Sequence, residues 1–98
     1  KAPDAIAKMK EMFVATKPDG YIACCEAVRD MDFRESNPKV SVPTLVIVGA
    51  QDPATPPAAG EAIRKAIPGT QLVSLDAAHI ANIEQPQAYT DTIVKFIG

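Results

Sequence analysis

The chain has 98 residues, of which 47% are hydrophobic and 22% are charged, and its formal net charge is −2. This composition is that of an ordinary globular protein, so it argues against a disordered chain, and the length allows one domain at most. Lys and Arg form no cluster, which argues against nucleic acid as a partner because phosphate binding requires a concentrated basic face.

The apolar runs are far shorter than the about 20 residues that a membrane-spanning helix requires. No signal peptide opens the sequence, so a cytoplasmic setting is expected. The sequence starts at Lys1, without Met and inside a helical pattern. That start predicts a fragment or a product of processing rather than a complete gene product, although a chain trimmed of a tag would begin in the same way.

Two helices are predicted in the first third of the chain. The first begins at Asp4, a residue type that caps helices, and places Met9 and Phe13 on one face. The segment Lys17–Gly20 contains both Pro and Gly, which predicts a break. A second helix is predicted from about Tyr21 to Arg29, and a polar linker that ends at Pro38 follows it.

The second predicted helix contains the two cysteines, Cys24 and Cys25. Adjacent cysteines close a disulfide only with strain, so both are expected to be reduced thiols. Free cysteines are commonly buried, which favours packing over a nucleophilic role. With one His and no Cys-x-x-Cys, no zinc site is expected. Met12 is expected to extend the stripe of Met9 and Phe13 as a core or contact surface.

A more regular unit follows the linker. Thr44–Val48 is a continuous, mostly apolar run before Gly49, which predicts a strand that is covered on both faces, as in parallel sheets. The elements predicted after it are, in chain order, a helix over 58–67, a strand over 71–75 and a helix over 85–97. The order β-α-β-α with short connections predicts a parallel α/β unit. Two strands alone leave unpaired edges, so a partner surface is expected.

Two polar residues follow the predicted strands. Asp52 comes three residues after Gly49, and His79 comes four residues after Leu75. Functional groups of parallel sheets collect beyond the carboxyl ends of the strands, so both side chains should lie at the same rim. A carboxylate that orients an imidazole, which in turn activates a hydroxyl, is the orienting half of a nucleophilic triad. The order Asp before His fits this hypothesis.

Structural interpretations compete with this one. A lone His is often a packed residue, and Asp-Pro after a strand is a common turn, but their joint placement at consecutive strand ends makes catalysis as good an interpretation as packing. A nucleotide-binding α/β domain is disfavoured, because the turn after the first strand contains only Gly49 where the dinucleotide motif has three glycines, and no P-loop occurs.

Three segments resemble parts of known α/β-hydrolases. Residues 43–56, PTLVIVGAQDPATP, resemble the acid-bearing strand and turn, and residues 77–86, AAHIANIEQP, resemble the histidine loop and the start of the last helix. Residues 20–32, GYIACCEAVRDMD, are similar to the end of the cap in 3-oxoadipate enol-lactonases. The resemblance implies the C-terminal β-α-β-α portion of an α/β-hydrolase, two parallel strands with flanking helices, over 39–98. Residues 1–38 would then be two cap-type helices and a linker.

The resemblance also implies an activity. It is the hydrolysis of a small lactone in the catabolism of aromatic acids by way of protocatechuate or catechol, giving 3-oxoadipate. A serine would attack the carbonyl with His79 as base and Asp52 as orienting acid, backbone amides would hold the oxyanion, and no metal or organic cofactor is implied. Tyr21 and Arg29 lie in the cap segment and are candidate substrate-binding residues, although a solvated or structural role fits both equally well.

The sequence departs from the family in one respect. The nucleophile motif G-x-S-x-G is absent, because Ser36, Ser41 and Ser74 lack the flanking glycines, and no segment matches the oxyanion hole. The chain by itself is therefore predicted to be inert and to act only with the Ser-bearing N-terminal part, as one polypeptide or as two. The alternative is a non-catalytic α/β module that associates with a second copy of itself through its strand edges.

Overall fold

A computed structural model describes residues 3–98. The chain divides between Phe33 and Arg34 into two compact units. The N-terminal unit contains helices α1 (Pro3–Ala15) and α2 (Pro18–Asp30). The C-terminal unit contains, after a 3-10 turn at Asn37–Lys39, the elements β1 (Leu45–Gly49), α3 (Pro57–Ala66), β2 (Gln71–Leu75), α4 (Ala81–Glu84) and α5 (Pro86–Ile97). Among the described residues, no helix is long and apolar enough to cross a membrane.

The boundaries of the first two helices differ from the predicted ones. Asp4 lies in the first turn of α1, after Pro3, rather than at its N-cap. An acidic residue in this turn still favours the helix through the helix dipole. Helix α2 begins at Pro18 instead of near Tyr21, because proline fits the first helical position, where its missing N–H is not needed. Only Thr16 and Lys17 separate the two helices.

The expectation that the cysteines are buried is wrong. Cys24 and Cys25 are free thiols, as expected, but both are exposed. The same holds for the rest of the helix, since no residue of α2 is buried. The stripe on α1 is not a core, since the exposed fractions of Met12 and Phe13 are 53% and 64%, and its alternative role as a contact surface stays a prediction. Phe13 contacts Tyr21 edge to face, with 5.7 Å between the ring centroids.

The predicted parallel sheet is confirmed. Strands β1 and β2 pair in parallel, with Leu45 opposite Gln71 and Gly49 opposite Leu75. Strand β1 extends one residue beyond its predicted end because Gly49 still pairs with the partner strand. The closing helix begins at Pro86, and a separate short helix, α4, precedes it where none was predicted.

Helix α3 covers one face of β1, and residues at and after the end of β2 cover part of the other face. On one face, α3 approaches so closely that a Cβ at Gly60 would lie 2.2 Å from Cγ1 of Val48. On the other face, Ile47 packs against the buried cluster of Leu75, Ala77 and Ala81, together with Tyr89 of α5. The first three residues of β1 are nevertheless only half-buried, since the strand has a neighbour on one edge only.

Candidate active site

The site is built from the two segments that follow the carboxyl ends of the strands. We call residues 50–55 the acid turn and residues 76–80 the histidine loop. The Ala50 N–H donates to the Leu75 carbonyl at 2.9 Å, and the Gln51 N–H donates to the Ala77 carbonyl at 3.0 Å. These bonds continue the contact between the two segments beyond the last paired residues of the strands. The two segments therefore stay side by side where they leave the sheet.

Gly49 allows this close approach. A Cβ at this position would lie 2.1 Å from the Ala78 carbonyl oxygen and 2.6 Å from that of Ala77. Both contacts are with backbone of the histidine loop, which cannot move aside as a flexible side chain could. Any larger residue at the end of β1 would therefore push the histidine loop away from the acid turn.

Asp52 and His79 are brought together at this rim. His79 Nδ1 lies 2.8 Å from Asp52 Oδ2, although the residues are 27 positions apart in the chain. The separation falls within the about 2.6–3.2 Å expected for a hydrogen-bonded acid and base. The proximity that the sequence predicted is thus observed, while the catalytic role of the pair stays a prediction.

The Asp52 carboxylate is buried and fully hydrogen-bonded. Its Oδ1 accepts the backbone N–H groups of Ala54 at 2.9 Å and Thr55 at 3.1 Å, and its Oδ2 accepts the Thr55 hydroxyl at 2.9 Å. Burial opposes ionisation, but the hydrogen bonds from His79, Thr55 and Ala54 outweigh it and hold the pKa of Asp52 well below its usual range. The group is therefore a carboxylate at neutral pH.

His79 is more accessible than its partner. Its side chain is 53% exposed, against 6% for that of Asp52. Because Nδ1 faces the carboxylate, Nε2 is the ring nitrogen that can exchange a proton with a reacting group. The pair lines a cleft of about 460 Å³ that runs along β1 and also includes Asn82 and Tyr89.

Thr55, Glu84 and Gln85 are site residues that the sequence reasoning missed. The Thr55 hydroxyl contacts Asp52 and also lies 3.2 Å from His79 Nδ1. Its signal was an Asp followed three residues later by Thr, a pattern in which side chain and backbone close a turn. Glu84 accepts the Ala78 N–H at 3.0 Å, and Gln85 donates to the Asp76 carbonyl at 2.9 Å. These two side chains hold the histidine loop.

The other two predicted site residues lie in the N-terminal unit. Tyr21 packs against Phe13, and Arg29 makes two hydrogen bonds to the Asp30 carboxylate, at 2.8 and 2.9 Å. The Arg29 guanidinium is thus already paired. A substrate-binding role for Tyr21 and Arg29 stays a prediction.

The sequence and the fold were compared with those of known proteins. A sequence model of the family with the alpha/beta hydrolase fold matches residues 4–86. The chain is similar to 3-oxoadipate enol-lactonase 2 of Acinetobacter baylyi, with 38% identity over 92 residues, covering 94% of this chain and 34% of the relative.

Solved structures show the same relationship. The enol-lactonase of Burkholderia xenovorans LB400 matches with a TM-score of 0.94 and 43% identity, over 97% of this chain and 36% of its own. A thermophilic esterase of Thermogutta terrifontis matches with a TM-score of 0.92 and 33% identity, over 99% of this chain and 36% of its own. The 98 residues therefore span about a third of the length of the proteins that they match.

Proposed function

The chain belongs to the alpha/beta hydrolase family, and we propose that it supplies the acid and the histidine of a Ser-His-Asp triad. The observation that carries the proposal is the 2.8 Å contact between His79 Nδ1 and Asp52 Oδ2 at the carboxyl ends of two parallel strands. A buried carboxylate on one ring nitrogen and an accessible ring are what a general base of this type requires.

The third member of the triad would come from outside these 98 residues. None of the three serines present has the flanking glycines of a nucleophile motif. The relatives extend about three times as far as this chain, which leaves room for the nucleophile and the oxyanion hole in the remaining two thirds. We therefore propose that the chain works with a Ser-bearing N-terminal part, joined to it or as a separate polypeptide.

The proposed reaction is the hydrolysis of a small lactone through an acyl-enzyme. His79 Nε2 takes the serine proton as the serine oxygen attacks the carbonyl carbon. The ring C–O bond then breaks, and the imidazolium returns the proton to the departing oxygen. Water repeats the sequence on the acyl group, so that one water is consumed and the open-chain acid and the free serine are released. Asp52 stays ionised throughout and stabilises the imidazolium.

We propose an enol-lactone of aromatic-acid catabolism as the substrate, giving 3-oxoadipate after the enol product converts to the ketone, in the cytoplasm. The similarity to enol-lactonases in both sequence and structure supports this choice over a simple ester. The similarity to an esterase makes ester hydrolysis the outcome to test beside it.

A chimera tests the triad. The part of the Burkholderia xenovorans enol-lactonase that lies before the matched region is joined to residues 1–98, and hydrolysis of 3-oxoadipate enol-lactone and of a p-nitrophenyl ester is measured. We expect lactone hydrolysis by the chimera and none by the 98-residue chain alone.

Replacing Asp52 by Asn should lower kcat by about 10⁴-fold, the loss that follows when the orienting carboxylate of a triad becomes an amide. The matched control is Asp91→Asn, a change on the exposed side of α5, which should leave the rate unchanged. A folded chimera that has no activity, or that keeps it with Asn at position 52, would contradict the proposal.

A further inference from the structure

We propose that Thr55 is a positioning residue of the candidate site, and that its hydroxyl acts together with the Asp52 carboxylate to hold His79 in the tautomer with a proton on Nδ1. The inference rests on the proposed function, because the tautomer matters to catalysis only if His79 serves as a base. It goes beyond that function in assigning a role to a third side chain, which lies on the acid turn.

The three side chains form a closed cluster. The Thr55 hydroxyl donates to Asp52 Oδ2 at 2.9 Å, and Oδ2 lies 2.8 Å from His79 Nδ1. The Thr55 oxygen itself lies 3.2 Å from the same ring nitrogen. Nδ1 therefore faces two oxygen atoms, from two residues, at hydrogen-bonding distance.

The hydroxyl proton decides what Nδ1 can do. Thr55 has one O–H, and a hydrogen bond to a carboxylate is stronger than one to a neutral nitrogen, so this proton goes to Asp52. Both oxygens that face Nδ1 are then acceptors. They favour the form of the ring with a proton on Nδ1, and that form leaves Nε2 unprotonated and able to act as the base.

The hydroxyl also holds the carboxylate in place. Asp52 Oδ1 has two backbone donors, and Oδ2 receives Thr55 and His79, so each oxygen has two donors. A carboxylate with these four partners cannot rotate without losing hydrogen bonds. Thr55 thereby limits the directions from which the ring can approach Oδ2.

A purely structural role for Thr55 makes a different prediction. The backbone N–H of Thr55 bonds to Asp52 Oδ1, and this contact closes the turn whatever side chain is present. Thr55→Val keeps the N–H and the shape of the side chain but removes the hydroxyl. Thr55→Ser keeps the hydroxyl. If only the turn matters, the two variants should behave alike.

The tautomer can be measured directly, because His79 is the only histidine of the chain. In the 98-residue chain labelled with ¹⁵N-histidine, the nitrogen shifts of the neutral ring report which nitrogen carries the proton. We expect the Nδ1–H form to predominate in the wild-type chain and in Thr55→Ser, and its share to be smaller in Thr55→Val, where Nδ1 has lost one of its two acceptors. The control is Thr44→Val, which removes a hydroxyl that donates to the Val42 carbonyl and which should match the wild-type chain.

Two results would overturn the inference: an unchanged tautomer ratio in Thr55→Val, or a wild-type ring without a preference for Nδ1–H. Should Thr55→Val fail to fold, Thr55→Ala removes the same hydroxyl and gives the same test.

In the chimera, Thr55→Val should lower kcat about tenfold and leave KM unchanged, because a hydrogen bond to a charged group contributes free energy on this scale. Thr55→Ser should restore the rate. A change confined to KM would contradict positioning. An inactive wild-type chimera counts against the proposed function, and the tautomer measurement then decides the role of Thr55 by itself.

Discussion

At the scale of single residues, the candidate site depends on how Asp52 is stabilised as a carboxylate. The group is buried among polar donors, and these hydrogen bonds favour its charged form more than burial disfavours it. The same donors hold the carboxylate in the direction that His79 needs. Ionisation and orientation of Asp52 therefore have a common cause in the acid turn.

This dependence predicts how stability responds to acid. Because the pKa of Asp52 is lower in the folded chain than its unfolded value of about 3.9, its contribution is fully present above that value. The contribution is lost as the pH falls below the unfolded value toward the folded one. Urea unfolding between about pH 5 and pH 2.5 should show a steeper loss of stability for the wild-type chain than for Asp52→Asn.

Thr55→Val serves as the matched variant in this titration. It removes one of the hydrogen bonds that lower the pKa of Asp52, so its slope should fall between those of the other two chains. Equal slopes for the wild-type chain and Asp52→Asn would mean that the carboxylate is not stabilised in the folded state.

At the scale of elements, the contact between α3 and β1 sets where the acid turn begins. Gly60 lets the helix approach Val48, which directly precedes Gly49 at the end of the strand. The histidine loop is held from its other side by α4, through Glu84 and the N–H of Ala78. The two catalytic candidates are thus placed by contacts of neighbouring elements and not by their own sequence surroundings alone.

Alanine substitutions separate helix propensity from packing. In a helix interior, Ala is favoured over Gly by about 1 kcal/mol, but at position 60 its Cβ would lie 2.2 Å from a branched, rigid valine side chain. Overpacking of this kind costs about 1–3 kcal/mol, so Gly60→Ala should lower the free energy of unfolding by about 1 kcal/mol. Chemical denaturation followed by circular dichroism measures the change.

The control for that experiment is Gly20→Ala in α2, where an added Cβ would meet no atom within 4 Å. This variant should gain up to about 1 kcal/mol from helix propensity alone. If Gly60→Ala were stabilising as well, the close approach of α3 to β1 would be wrong.

At the scale of the whole molecule, the described chain has two units, and the sheet of the C-terminal unit has only two strands. Each strand then keeps one edge without a partner strand among residues 3–98. Unpaired edges of parallel strands tend to associate with other chains. In the relatives, about two thirds of the chain lies beyond the matched region and could supply neighbours for these edges.

The free edges predict association when the 98-residue chain is alone. We expect size-exclusion chromatography over a hundredfold range of concentration to show a dimer or larger species that dissociates on dilution. In the chimera, we expect the Burkholderia xenovorans part to cover these edges, so the chimera should form smaller oligomers than the 98-residue chain does. A compact monomer of the 98-residue chain at every concentration would contradict self-association.

Local features of the sequence determined most of the elements. The strands and most helices were predictable to within a few residues, because their signals act between neighbours in the chain. These signals are the apolar run before Gly49, the mostly apolar segment after Gln71, and the Pro and Gly residues around the helices. The approach of Asp52 to His79 was also predictable, because the carboxyl ends of adjacent parallel strands share one rim. The local pattern did not predict burial correctly, as Cys24 and Cys25 show. Burial depends on which other segments cover a helix, and these are distant in the chain.

The sequence by itself thus determined the parallel α/β order, the family and the pair of residues that meet at the sheet rim. Only the tertiary structure decided that Thr55 contacts both members of the pair, that Glu84 and Gln85 hold the histidine loop, and that Gly49 admits that loop. The physical reason is that a hydrogen bond depends on a few tenths of an ångström and on direction, which are set by packing between segments distant in the chain.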